Sequence, residues 1–417
     1  MFRRVAGLLC LSIFSVIGES ADWVEFRGPN GQGHAAATNL PVSWSESENI
    51  EWKVEVPIGW SSPVVGGQRI YLTAAEPEAG DDSKNSLRVL CLDAETGKEI
   101  WNIEAFPQAD DKRSEMHKKN SQASPTPILD GNRLYVHFGP MGTACLNLDG
   151  KVIWEQTDLN YLPQHGNGGS PALAGDVLVI CCDGRDKRFV VGLNKLDGQE
   201  IWRTQRELNP SRGFSFSTPT IIDVDGRLQA ICPGSGGVWS YDSATGEQIW
   251  RVQYGEGYSV VPRPVVGHGL VYVCSGFGDG QLFAIDPNGS GDVTDSHVKW
   301  KIKKGVPKSP SVLLIGNEIY MADDRGVGTC LDALTGEIHW QERLGGAFSA
   351  SPSFADGRIY FQNETGKTTV VQPSKEYQEL ATNQLGNGKT RTFASYAFVE
   401  DAILLRSETH LYRIQKP

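Results

Sequence analysis

The chain has 417 residues, of which 39% are hydrophobic and 21% are charged. This composition is that of a large folded protein, and it excludes a mainly disordered chain and a chain built from membrane spans. The formal net charge is −11, so the protein repels phosphate backbones and we expect no nucleic-acid partner.

Residues 1–21 are predicted to be a secretory signal peptide. Two arginines near the start precede an apolar stretch over residues 5–17, and small residues follow it. The stretch is shorter than the roughly 20 apolar residues that a transmembrane helix needs, and no later segment approaches that length. Cys10 follows two leucines, whereas a lipoprotein processing site has a small residue there. We therefore expect an exported, unlipidated protein, periplasmic or extracellular.

Residues 22–49 are predicted to form an N-terminal extension, and residues 50–417 a single domain of repeats. One unit recurs along this domain, with a Ser/Thr-Pro step at its start and a tryptophan at its end. The proline returns at Pro63, Pro127, Pro171, Pro219, Pro264, Pro310 and Pro352, with Tyr396 in the eighth position. The tryptophan returns at Trp52, Trp101, Trp154, Trp202, Trp250, Trp300 and Trp340.

Each unit contains four short apolar runs separated by Gly, Asn or Asp turns, which is the pattern of a four-stranded antiparallel meander. A period of roughly 40–50 residues with four strands is typical of propeller blades. The sequence therefore predicts an all-β, eight-bladed β-propeller. Trp52 precedes the first Pro step and the last unit lacks a Trp strand, so residues 50–56 should complete the last blade and leave no open edge.

Two recurring features within the unit have structural interpretations. The Thr-Gly pairs at 96–97, 245–246 and 335–336 provide the positive φ of a tight hairpin, and the tryptophans should lie between blades as apolar wedges. The cysteines after residue 21 are odd in number, and Cys181, Cys232 and Cys274 end matching strands. We expect them to be separate buried thiols rather than a disulfide framework.

The string Ser-Pro, Gly-x-x-x-Tyr/Val, Leu-Asp-x-x-Thr-Gly-x-x-x-Trp resembles the repeat of the PQQ-like (quinoprotein-type) β-propeller family. The resemblance covers essentially everything after residue 50, and the opening at residues 22–31 is similar to that of exported bacterial paralogues. It implies one of two functions. The first is a non-enzymatic binding or scaffolding module for a protein or glycan partner, similar to BamB-like outer membrane protein assembly factors. The second is a small PQQ-dependent dehydrogenase that oxidises an alcohol or sugar.

We favour the non-enzymatic alternative and assign no catalytic residue. The sequence has no Gly-x-Ser-x-Gly elbow, His-Glu-x-x-His helix or phosphate loop. The family dehydrogenases use an adjacent-cysteine disulfide, and Cys181-Cys182 is the matching pair here. The apolar run at residues 177–180 places that pair at the end of a strand, where neighbouring side chains point to opposite faces.

Loops that join the outer strand of one blade to the inner strand of the next converge on the central channel. In this chain they are rich in cations and aromatics, which favours a carboxylate, an acidic or sulfated glycan, or an acidic peptide as ligand. The candidate binding residues are Trp60, His117, His165, Arg212, Phe214, Tyr258, Arg263, Lys308, Phe348 and Arg391. Lys118, Lys119, Phe216 and Phe393 lie in the same loops.

One insertion resembles part of a calcium loop. It carries oxygen side chains at Asp286, Asn288, Ser290 and Asp292, but His297 stands where the closing glutamate should be. A long hairpin turn uses the same residue types and is the alternative. Calcium is thus the one cofactor candidate outside the PQQ alternative, and we expect a monomer.

Overall fold

The computed structural model describes residues 22–78, 81–112, 115–207 and 210–417. The predicted signal peptide lies outside these residues. Within them the regular structure is strand, apart from the short 3-10 turns η1 (Pro29–Gly31), η2 (Asp110–Lys112) and η3 (Gly139–Met141). In the described ranges, no helix has the length and apolar character needed to cross a membrane.

The strands form eight sheets. In chain order they are β1 (Ile50–Glu55), β2 (Val64–Gly66), β3 (Arg69–Glu78), β4 (Asp81–Asp93), β5 (Glu99–Pro107), β6 (Ile128–Asp130), β7 (Arg133–His137), β8 (Thr143–Asn147), β9 (Val152–Gln156), β10 (Ala172–Ala174), β11 (Val177–Asp183), β12 (Arg188–Asn194), β13 (Glu200–Gln205), β14 (Thr220–Val224), β15 (Arg227–Gly234), β16 (Gly237–Asp242), β17 (Gln248–Gln253), β18 (Val265–Gly267), β19 (Leu270–Cys274), β20 (Leu282–Ile285), β21 (Gly291–Asp292), β22 (Val298–Ile302), β23 (Leu313–Ile315), β24 (Glu318–Ala322), β25 (Val327–Asp332), β26 (Ile338–Arg343), β27 (Ser353–Ala355), β28 (Arg358–Gln362), β29 (Lys367–Val371), β30 (Glu379–Gln384), β31 (Ala397–Val399), β32 (Ala402–Arg406) and β33 (His410–Gln415).

Blades 1 to 7 consist of β2–β5, β6–β9, β10–β13, β14–β17, β18–β20 with β22, β23–β26 and β27–β30. Blade 8 consists of β31–β33 and β1, and the strands of all eight blades pair antiparallel. Strand β1 pairs with β33, with Trp52 opposite Arg413 and Val54 opposite Leu411. The predicted all-β, eight-bladed propeller and its closure by the N-terminal strand are confirmed.

The tryptophans lie between blades, each against the hairpin turn of the next blade. A Cβ built on Gly97 would come within 2.9 Å of the Trp52 ring, and one on Gly246 within 2.5 Å of the Trp202 ring. The indole N–H of Trp101 donates to the carbonyl of Leu148 in the next blade, and that of Trp202 donates to Ser243. The turn glycine therefore has two roles, since it supplies the positive φ and leaves room for the ring.

Trp250 departs from this pattern because the insertion replaces the Thr-Gly turn in blade 5. Strand β21 adds to the edge of blade 4 by parallel pairing, with Trp250 opposite Gly291. The indole N–H of Trp250 donates to Gln229 within its own blade at 3.2 Å. The insertion thus packs on the Trp250 indole, in the place that a hairpin glycine has against the tryptophans of other blades.

Ser and Thr hydroxyls at the start of the inner strands link neighbouring blades. Each hydroxyl accepts a hydrogen bond from the backbone N–H of the equivalent residue in the preceding blade. These bonds run from Ser62 to Thr126, Thr126 to Ser170, Ser170 to Thr218, Arg263 to Ser311, Ser311 to Ser351, and Ser351 to Ser395. In blade 6 the choice of Pro310 as the recurring proline was wrong by two residues. Ser311 carries the hydroxyl that links the blades, so Val312 occupies the position of the proline.

The N-terminal extension closes one end of the channel. Trp23 pairs with Val65 of blade 1, and His34 pairs with Phe354 of blade 7. Arg27 is 1% exposed and donates to the carbonyls of Gly31, Gln32, Val312 and Pro352. Burial, with a smaller effect from Arg263, lowers the pKa of Arg27 to about 9. The extension is therefore part of the folded core, and the channel is open only at the other end.

The contact between indole and glycine predicts different costs for two substitutions in blade 1. Gly97→Ala and Gly67→Ala both place a Cβ at positive φ, which costs about 1–2 kcal/mol. Only the Cβ at position 97 meets a ring, since a Cβ at position 67 has no atom within 4 Å. We expect Gly97→Ala to lower the free energy of unfolding by about 1–3 kcal/mol more than Gly67→Ala in urea titrations. Equal losses would contradict the interblade role of Gly97.

Candidate functional site

A cavity of about 360 Å³ occupies the open end of the channel. Among the predicted binding residues, its lining includes Trp60, His117, His165, Arg212, Phe214 and Tyr258, with Lys119, Phe216 and Phe393 from the same loops. Phe26 of the N-terminal extension also lines it, and the carbonyl of Phe26 accepts a hydrogen bond from Arg263 at 2.6 Å. The cavity is therefore a pocket with walls of loops from successive blades and a contribution from the extension.

Aromatic rings form a continuous arc along one wall. The His117 and His165 rings are 5.5 Å apart, His165 and Phe214 are 5.5 Å apart, and Phe214 and Tyr258 are 5.8 Å apart, all in edge-to-face arrangements. Asn120 fixes two of the loops together by donating to the carbonyl of His165 at 2.9 Å. These residues come from four consecutive blade junctions, so the arc forms only when blades 1 to 5 are stacked.

The positive charge of the pocket is concentrated at Arg212. Its guanidinium lies 4.6 Å from the centre of the Tyr258 ring and donates to the Tyr258 hydroxyl at 2.5 Å. Among the residues that the structure describes, no carboxylate pairs with Arg212. The other cation, Lys119, is paired with Glu364 at 2.6 Å, so its charge is compensated.

His117 adds a titratable group beside this charge. Partial burial, followed by electrostatic interactions with His165, Lys118 and Lys119, lowers the pKa of His117 below its ordinary value of 6.5. His117 is therefore mainly neutral at pH 7 and gains a proton only in more acid solution.

The opposite wall offers polar groups that lack partners within the described chain. Trp60 is 6% exposed and Ser62 is 1% exposed, and both line the cavity. The Trp60 indole nitrogen and the Ser62 hydroxyl form no hydrogen bond with any described residue. Phe393 packs on Trp60 with ring centres 4.7 Å apart, and Arg391 lies over the indole at 5.6 Å.

Two predicted binding residues, Arg263 and Phe348, are buried and do not line the cavity. Arg263 has a side chain only 3% exposed, because it pairs with Glu25 at 2.8 Å and donates to Phe26 and Pro219. Glu25 and Phe26 belong to the N-terminal extension, whose path could not be predicted from the sequence. Phe348 is 1% exposed and packs in the apolar cluster between blades 6 and 7.

Lys308 and Arg391 lie next to the cavity but do not line it. The Lys308 ammonium lies 5.3 Å from the centre of the Phe277 ring, which lines the cavity. Arg391 is paired with Glu408 at 2.7 Å. Phe277 completes the wall beside Tyr258, and we did not identify it from the sequence because it follows a strand in the middle of a blade.

In the predicted calcium loop, the carboxylates have partners within the protein. Asp286 pairs with Lys299 at 3.0 Å and accepts bonds from Asn288, while Asp292 pairs with Arg251 at 3.1 Å. Ser290 is exposed. Across the described ranges, no group of three or more His, Cys, Asp or Glu residues could hold a metal ion. The geometry is that of the hairpin alternative, and calcium binding stays a prediction.

The adjacent cysteines lie within strand β11, as expected, and outside the cavity lining. Cys182 packs in the cluster between blades 2 and 3, whereas Cys181 packs against the cluster between blades 3 and 4. Both are free thiols. The pair therefore does not offer the cavity a disulfide on which a quinone could stack.

These features define an eight-bladed PQQ-like propeller, closed at one channel end by its own N-terminal extension and bearing a pocket at the other. The family described as "Outer membrane protein assembly factor BamB" matches residues 42–290 and 292–379. The chain belongs to this family.

Individual relatives agree with this placement. The outer membrane protein assembly factor BamB of Burkholderia pseudomallei is 26% identical over 294 residues, which cover 67% of this chain and 64% of the relative. The match thus spans somewhat less than two thirds of that relative's length. The crystal structure of BamB from Moraxella catarrhalis has a TM-score of 0.62 at 13% identity, covering 88% of this chain and 97% of that one.

A europium-containing methanol dehydrogenase has a TM-score of 0.66 at 11% identity, covering 93% of this chain and 90% of that one. At identities this low, the two structural likenesses show the fold alone.

Arg263 and Arg212 were both predicted from the sequence to bind ligand, but their replacement should change the stability of the protein by different amounts. Arg263→Ala breaks a buried ion pair with Glu25 and should cost roughly 3–5 kcal/mol of unfolding free energy. Arg212 is exposed, so Arg212→Ala should change stability by about 0.5 kcal/mol or less. Chemical denaturation of both variants measures the difference, and similar stabilities would contradict the placement of Arg263.

Proposed function

We propose that the protein is an exported, non-enzymatic propeller that serves as a binding scaffold in outer membrane protein assembly and holds an acidic segment of a partner protein in its channel pocket. The observation that carries the proposal is Arg212, an exposed cation beside an arc of aromatic rings, without a carboxylate partner in the described chain. An arginine so placed can form charge-assisted hydrogen bonds with a carboxylate.

The dimensions of the pocket support a small inserted group rather than a flat contact. Its volume of about 360 Å³ lies within the range of roughly 300–1,000 Å³ typical of ligand pockets. Because the extension closes the other channel end, a ligand enters and leaves through the same opening. A carboxylate of the ligand would pair with Arg212, which is exposed.

Family membership supports the scaffold part of the proposal, since the relatives are named as outer membrane protein assembly factors. The predicted signal peptide supports export. The cavity does not support the dehydrogenase alternative, because Cys181 and Cys182 are not part of its described lining. Tight binding of pyrroloquinoline quinone with calcium, followed by dye reduction with an alcohol or sugar, would contradict the proposal.

The binding test uses a short glutamate-rich peptide as probe, with a lysine-rich peptide and a sulfated disaccharide for comparison. We expect the acidic peptide to bind and to change tryptophan fluorescence, because Trp60 lines the pocket. The triple variant His117→Ala, His165→Ala, Arg212→Ala should lose binding without a lower melting temperature, and Arg212→Ala alone should weaken binding about tenfold or more.

Arg203→Ala is the matched control for the binding test. Arg203 also lies over an aromatic ring, at 4.4 Å from Phe189, but it is outside the cavity lining and pairs with Glu200. Its replacement should leave binding unchanged. Binding of the sulfated sugar in place of the peptide would assign the pocket to a glycan, and binding of neither probe would refute the proposal.

The lowered pKa of His117 predicts how anion binding depends on pH. Protonation adds positive charge to the pocket, so affinity for the acidic peptide should rise as the pH falls from 7.5 to 5.5, with most of the change below 6.5. Calorimetric titrations across this range measure the effect. His117→Ala should reduce the slope, and an affinity that falls with acidification in this range would contradict a role for His117.

A further inference from the structure

Cys181 lies in the second strand of blade 3 and Cys232 in the second strand of blade 4. When the two blades are superposed by strand register, the two positions differ by one residue. In blade 3, Ala172 follows the step proline and pairs with Val179, while in blade 4 Thr220 follows the proline and pairs with Ile231. Counting from these pairs, Cys232 corresponds to Ile180 and not to Cys181. Because successive strand residues point to opposite faces, Cys181 faces blade 4 and Cys232 faces blade 3.

The two thiols meet at the interface between these blades. Cys232 belongs to the buried cluster that joins blades 3 and 4, and Cys181 packs against the same cluster. Burial, followed by the interaction with Cys181, raises the pKa of the Cys232 thiol. The sequence alignment had treated these cysteines as equivalent and therefore distant, and the one-residue offset overturns that expectation.

Arg206 contacts both cysteines, and its charge is paired with the Asp183 carboxylate. Its Nη2 lies 3.3 Å from the Cys181 sulfur, and its Nη1 donates to the carbonyl of Cys232 at 2.9 Å. The guanidinium is held over the Trp239 ring at 4.5 Å, and its Nε lies 2.9 Å from a carboxylate oxygen of Asp183, without the alignment of a hydrogen bond. The thiolate of a cysteine is the nucleophile in disulfide exchange, and the Arg206 guanidinium lies beside the Cys181 sulfur.

The two cysteines also differ in access. Cys181 is partly exposed, whereas Cys232 is 0% exposed. An external reagent can therefore reach Cys181 first, and Cys232 is placed to react second.

We propose that Cys181 and Cys232 form a redox-active pair that closes to a disulfide between blades 3 and 4. The Cys181 thiolate attacks the disulfide of an oxidised thiol donor, which forms a mixed disulfide and releases one donor thiolate. The Cys232 sulfur then attacks the Cys181 sulfur and releases the second donor thiolate. The protein loses two electrons and two protons, and the donor is reduced to two thiols.

The pair lies below the loop that carries Arg212 and Phe214. That loop follows β13 directly, and the Phe214 carbonyl accepts a hydrogen bond from Ser235, close after Cys232 in the chain. The proposal stands independently of the ligand assigned to the pocket, because it concerns only the two thiols and the neighbouring Arg206.

The test treats the reduced, folded protein with oxidised glutathione, blocks the remaining thiols with a maleimide, and maps linked peptides by mass spectrometry. We expect a peptide that links Cys181 to Cys232 and the loss of two of the seven thiols after residue 21. The melting temperature should rise by roughly 5 °C on oxidation and return on reduction.

Cysteine variants distinguish the possible disulfide pairings. Cys181→Ser and Cys232→Ser should each abolish the link, with Cys232→Ala as a second variant should the serine not fold. Cys182→Ala should keep it. Cys274→Ser is the matched control, because Cys274 occupies in blade 5 the position of Cys181 and lies in a different interface. This variant should also keep the link.

Three outcomes would overturn the proposal. They are a link between Cys181 and Cys182, a stable glutathione adduct on Cys181 without transfer to Cys232, and labelling of neither cysteine until the protein is unfolded.

Discussion

The structure depends on the contact between a tryptophan ring and the hairpin glycine of the following blade. A four-stranded sheet of this size has too little core to be stable alone, so each blade must cover the face of its neighbour. The indole provides a large apolar surface for this purpose, and its N–H binds the neighbour's backbone. Because the ring occupies the space where a Cβ would stand, the turn geometry and the packing between blades require the same residue.

The N-terminal extension determines what the channel can do. Arg27 and Arg263 are buried among carbonyl oxygens and the Glu25 carboxylate, and they fix the extension across the inner strands. In blade 5 an arginine replaces the Ser or Thr that links other blades, so the ring of hydroxyl links is interrupted where the extension is attached. The channel consequently becomes a pocket with a single opening.

The open end collects side chains that are far apart in the sequence into one chemical environment. Loops from consecutive blade junctions provide the aromatic arc, and Arg212 adds a cation whose charge is not compensated within the described chain. The contacts of the buried thiols are determined by strand register instead of by the junction loops. Their contacts depend on the face of the strand to which each side chain points, so a shift of one residue brings Cys181 and Cys232 together.

The amino-acid sequence by itself determined the repeat, the number of blades and the strand that closes the ring. These features follow from local pattern, namely alternating apolar runs, turn glycines and the recurring tryptophan, and Trp52 alone indicated how the ends meet. The sequence also predicted that the residues of the aromatic arc and Arg212 lie in neighbouring loops, because junction loops converge in any propeller. Only the tertiary structure decided that Arg212 faces solvent while Arg263 is buried, that Phe348 is core, and that Phe26 enters the cavity. The physical reason is that each of these outcomes depends on which distant group lies opposite the side chain, and that is fixed by the path of the extension and by strand register.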